Sequence, residues 1–111
     1  MTESDIKREI CTALKQAGAF PVVIWQGPLS VKGISDLLVC HRGKFIAIEV
    51  KRPGGKVSNE QARFLEKVED AGGVGFVATS AEEVIRRLGL GLPLFSIERG
   101  LNVTNGMKKA G

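Results

Sequence analysis

Phe45-Ile46-Ala47-Ile48-Glu49-Val50-Lys51 is the stretch on which the fold turns. Five apolar residues in the first six positions describe a strand covered on both faces, and such strands normally exclude charge. Glu49 and Lys51 break that rule at the C-terminal end of the run. Side chains alternate along a strand, so the two fall on the same face. A second apolar run, Asp36 to Cys40, precedes the first, and His41-Arg42-Gly43 between them is a hairpin signal. In an antiparallel hairpin the start of one strand lies opposite the end of the next. Asp36, Glu49 and Lys51 are therefore expected at one end of a sheet.

Working outward, Ile6, Ile10, Ala13, Leu14 and Ala17 recur at helical spacing, which predicts a helix from about Thr2 to Ala17 with Gly18 as its cap. Phe20 to Trp25 reads as a short strand ended by Gln26-Gly27-Pro28, with an irregular loop from Gly27 to Gly33. Arg52 to Lys56 is a loop fixed by one Pro and two Gly. Ser58 and Gln61 form a capping-box pattern for a second helix, with Ala62, Phe64, Leu65 and Val68 on its apolar side and its end near Gly72-Gly73. Val74 to Thr79 predicts another strand, and Ser80 with Glu83 a second capping box opening a helix through Leu88. Pro93 to Ile97 is an edge strand or docking segment. The order predicts one α/β domain over residues 1–99, a central mixed β-sheet flanked by helices in an αβββαβ core, and a tail at 100–111 without obvious structure.

The 111 residues, 11.9 kDa, leave room for one core, so fold and function share the same residues. A single histidine, His41, excludes multi-histidine metal sites. Cys11 and Cys40 lack zinc or redox spacing and read as free thiols of an intracellular, cytoplasmic protein. No apolar run approaches membrane-helix length, and the N-terminus does not resemble a leader.

Two carboxylates brought together repel unless a cation neutralises them, and hard oxygen ligands suit Mg²⁺ or Mn²⁺. Such an ion polarises a phosphoryl oxygen and acidifies bound water, and a neighbouring lysine stabilises developing negative charge. That chemistry is phosphodiester hydrolysis. A plain ion pair between Glu49 and Lys51 explains the same spacing without any catalysis.

Gly33-Ile34-Ser35-Asp36, followed by Glu49-Val50-Lys51, then Arg52-Pro53-Gly54-Gly55 and Ser58-Asn59-Glu60-Gln61, resembles the VRR-NUC nucleases, a branch of the PD-(D/E)XK superfamily. The resemblance runs from about Glu3 to Val84, with Ser35 standing where the family usually has proline. It implies a restriction-endonuclease-like fold, metal ligation by Asp36, Glu49 and the main-chain carbonyl of Val50, and Lys51 as catalytic lysine. Gln61 matches the family's glutamine on the second helix. Its capping-box role with Ser58 is an alternative that does not exclude the other.

Family members also carry an acidic residue on the first helix, and Glu3, Asp5 and Glu9 compete for that place. Helix geometry turns Glu3 closest to the apolar face, which selects it as a further catalytic and metal-binding candidate, although a carboxylate there also suits the helix dipole. Between Ser30 and Val57, six basic residues meet only Asp36 and Glu49, which accounts for the whole formal excess of +4. Lys32, Arg52 and Lys56 are the candidate phosphate contacts, unless the segment is simply a solvated basic surface.

Five Phe, one Trp and no Tyr give no apparent stacking platform, which favours recognition of DNA by backbone or shape. The resemblance implies a homodimeric, Mg²⁺- or Mn²⁺-dependent DNA endonuclease selective for branched, flapped or four-way-junction DNA. The competing readings are a DNA-binding module without turnover and a subunit of a larger replication-repair assembly.

Overall fold

The computed structural model describes residues 1–91; Pro93 to Ile97 and the tail lie outside the described residues. Helix α1 spans Glu3–Gln16, strand β1 Phe20–Val23, β2 Leu37–His41, β3 Lys44–Val50, helix α2 Asn59–Asp70, β4 Val74–Ala78 and helix α3 Ala81–Leu88. The four strands form one sheet in the order β1-β2-β3-β4. The first two pairings are antiparallel and β3 with β4 is parallel. The expected mixed α/β architecture is therefore present among the described residues.

The Phe45 to Lys51 stretch behaves as its composition requires. Ile46, Ile48 and Val50 face a core closed by α1 and α3, through Ile6, Ile10, Leu14 and Val84. Ala47 faces the opposite layer, against Leu65 and Val68 of α2. Glu49 shares that second face by alternation, which turns it toward α2. Close approach of α2 to the sheet depends on Gly75, where a Cβ would stand 2.8 Å from the Leu65 carbonyl oxygen.

The capping signals are realised with two differences. Thr2 and Ser58 close reciprocal capping boxes with Asp5 and Gln61. Ser80 accepts from the Glu83 N–H, but the Glu83 carboxylate turns to the N–H and hydroxyl of Thr79 instead of completing the box. Ala17 takes the cap position of α1, and Gly18 follows it in the left-handed conformation that ends the helix, with φ of 85°.

The hairpin link is also shorter than expected. His41 pairs with Lys44 inside the ladder, which leaves a two-residue turn at Arg42 and Gly43 with φ of 53° and 78°. Positive φ at both central positions is the type I′ pattern that matches strand twist. Ala62 lies exposed rather than on the packed side of α2. The first strand ends at Val23, before Ile24 and Trp25. Among the described residues no helix is long and apolar enough to cross a membrane.

Candidate functional site

Strand direction brings three strand ends together at one end of the sheet. The end of β1, the start of β2 and the end of β3 lie together because both hairpin pairings are antiparallel. Leu37 pairs with Ile48, so Asp36 stands one step further out, across from Glu49. The Val50 N–H donates to Asp36 Oδ2 at 2.9 Å, and the main-chain N–H of Ile24 donates to the Asp36 carbonyl at the same distance. Asp36 is thus held from both sides, by the end of β3 and by the residue that follows β1.

Glu49 is only 2% exposed, a placement that a carboxylate tolerates when it has partners. Gln61 Nε2 donates to Glu49 Oε2 at 2.9 Å, and Lys51 Nζ lies 3.4 Å from the same oxygen. Among the described residues Oε1 is buried without a hydrogen-bond partner. Burial, then the charge of Asp36, push the Glu49 carboxyl from 4.5 up to about 7, against the opposing pull of Lys51. Gln61 makes both contacts at once: its Oε1 accepts from the Ser58 N–H while its Nε2 donates to Glu49.

Glu3 is not brought to this group. It is exposed in the first turn of α1, with no ion pair or hydrogen bond from its side chain among the described residues. Lys7, one turn further on, places Nζ 3.8 Å from Asp36 Oδ1. A helical wheel gives direction around the axis but not reach along it. No cluster of three or more His, Cys, Asp or Glu side chains suited to a metal occurs among the described residues. Asp5, the rejected rival, is occupied by its cap: the Thr2 N–H and the Arg8 guanidinium hold its carboxyl down at about 2.

The donor set fits a hard divalent cation, because two carboxylates converge and one buried oxygen lacks a partner. Asp36 and Glu49 could hold it, and open positions would remain for water and phosphate oxygens. Val50 contributes its N–H to Asp36 and no side-chain function. Lys32 is paired with Glu60 at 3.6 Å, whereas Arg52 and Lys56 are exposed and make no ion pair among the described residues. Arg52-Pro53-Gly54-Gly55 forms a tight turn, with Gly54 at φ 82° and the Gly55 N–H on the Arg52 carbonyl at 2.8 Å. The basic segment is not all at the site: Arg42 and Lys44 lie at the opposite, hairpin end.

Residues 28–82 match the VRR-NUC domain model, a span that contains Asp36, Glu49, Lys51 and Gln61. The chain carries a VRR-NUC domain. Search of the curated proteins gave no match. Among solved structures the domain is similar to Hjc, a Holliday junction resolvase from the archaeal hyperthermophile Archaeoglobus fulgidus, with a TM-score of 0.55 and 20% identity. The likeness covers 68% of this chain and 65% of the resolvase, so the chain spans less than two thirds of that protein. At this identity it shows the restriction-endonuclease-like fold of the VRR-NUC domain.

Proposed function

We propose that this VRR-NUC protein is a divalent-metal-dependent DNA endonuclease selective for branched, flapped or four-way-junction DNA. The observation that supports it is the convergence of Asp36 and buried Glu49, with Lys51 3.4 Å from Glu49. Asp36 and Glu49, with the Val50 carbonyl, would hold Mg²⁺ or Mn²⁺. When bound, the ion would supply Lewis acidity toward a phosphoryl oxygen and lower the pKa of water.

Lys51 stabilises charge developing on the scissile phosphate, and Gln61 fixes the Glu49 carboxylate. Arg52 and Lys56, with Lys32 beside them, take the flanking phosphates, where backbone contacts position a duplex without reading its sequence. Two copies related by a two-fold axis would present two such sites to two strands, and we include that homodimer in the proposal.

Linear, flapped and four-way-junction DNA incubated with the chain, with and without Mn²⁺, test the reading. Metal-dependent cleavage of branched DNA is expected, lost in Glu49→Ala while binding persists. Binding without cleavage of any substrate by the intact chain would leave a DNA-binding module instead. Sedimentation equilibrium reads the mass of the dimer.

A further inference from the structure

The only tryptophan of the chain, Trp25, is 91% exposed, an unusual setting for the largest apolar side chain. It belongs to the loop between β1 and β2, which ends at Asp36. The preceding residue, Ile24, is tied to the Asp36 carbonyl through its N–H at 2.9 Å, so Trp25 projects from the same end of the sheet as Glu49 and Lys51. Leu29 on that loop is 98% exposed.

The base of the loop is clamped. Gln26 Nε2 donates to the Ile34 carbonyl at 3.1 Å across its stem. Gly33, with φ of 74°, packs so closely on α2 that a Cβ would stand 2.2 Å from the Glu60 carbonyl oxygen. The indole therefore extends from a braced support. Its surroundings favour a polyanion: residues 24–35 contain no acidic residue, Lys32 among them is balanced by Glu60 at 3.6 Å, and Arg52 and Lys56, exposed and without an ion pair among the described residues, follow the end of β3.

The aromatic count suggests no stacking platform, but the placement of this one exposed indole supplies a candidate, and we propose that Trp25 is a stacking wedge that selects DNA with an unpaired or unstacked base next to the site. This rests on the nuclease reading and names the structural element behind branch selectivity. Every base presents a π-face, so an indole takes it without sequence preference, and an intact duplex offers none except at its ends. An exposed aromatic beside cationic loops combines the two features that such recognition needs.

The unique indole is its own reporter. In EDTA, to prevent cleavage, the full chain is titrated with a covalently closed circular duplex and with the same circle carrying a single-stranded flap, and saturation is followed by anisotropy of labelled DNA. The flap is expected to quench Trp25 emission by about half or more at saturation, and the closed duplex to leave it nearly unchanged. Trp25→Ala should lose at least about fivefold of the preference for flap over duplex, and Trp25→Phe should keep most of it.

Unchanged emission at saturating flap, or equal quenching by both DNAs, would overturn the wedge while leaving the nuclease reading standing. Emission that changes with protein concentration alone would assign Trp25 to self-association and also overturn it. Failure to bind either DNA would overturn the nuclease reading itself.

Discussion

A single amide joins Gln61 to Glu49: its nitrogen donates to the carboxylate at 2.9 Å while its oxygen closes the cap of α2 on the Ser58 N–H. The helix start and the buried acid are therefore set by one side chain. Gln61→Glu keeps the acceptor for the cap but replaces the donor with a like charge facing Glu49. Circular dichroism should show an intact helix, while cleavage falls at least about tenfold and the Glu49 carboxyl moves higher. Gln61→Ala should also lose about 1 kcal/mol of stability in denaturant melts, the typical size of a lost cap. Full activity in both variants would remove Gln61 from the site.

The sign of the pH dependence follows from Glu49. Its carboxyl rises from 4.5 to about 7 on folding, so the folded chain retains a proton that the unfolded chain releases in that interval. Metal-free stability should fall as pH rises from about 4.5 to about 7 and level off above. A melting temperature lower by roughly 5–10 °C at pH 7.5 than at pH 5 is expected from this group, with the drop absent in Glu49→Gln. A cation must displace the same proton, so Mn²⁺ affinity should climb over that window, with proton release visible in buffers of different ionisation enthalpy.

Lys7 supplies Asp36 with a cation from within the chain, at 3.8 Å, where an incoming metal ion needs the same carboxylate. Removing it should favour the ion. Calorimetric titration of Lys7→Met is expected to give Mn²⁺ binding about fivefold tighter than in the parent, the scale of a partly exposed ion pair. Weaker binding would instead make Lys7 a support that orients Asp36.

Lys56 and Lys44 test the direction of the DNA path. Both are exposed lysines of the basic segment, but Lys56 lies in the loop after β3 and Lys44 beside the distal hairpin turn. Lys56→Ala should lower the salt slope of DNA binding by about one, and Lys44→Ala should leave it unchanged. The reverse result would carry the DNA across the other end of the sheet.

The fold was legible largely through β3, because a doubly buried strand fixes the layers on either side of it. The convergence of Asp36, Glu49 and Lys51 followed from alternation and hairpin direction, both properties of the backbone. Reach was harder to read. Glu3 and Lys7 share a flank of α1, but only the longer side chain one turn further on meets Asp36. Charge counted along the segment also misled: Arg42 and Lys44 are near Lys51 in sequence, and β3 carries them to the opposite end of the sheet. Trp25 reads as strand because it follows a β-branched run, yet the ladder to β2 stops at Val23. Propensity cannot reveal where a partner strand ends.

The turn at Arg42 and Gly43 has a practical consequence. It is the part of the central hairpin most remote from the carboxylates, its type I′ geometry is set by two positive φ angles, and Gly43 faces open space. It offers an attachment point at which a fluorophore, an immobilising tether or an inserted domain can be joined to the molecule while the carboxylate end stays free. The long hairpin is thus both scaffold and handle, with its paired carboxylates at one tip and an exposed turn at the other.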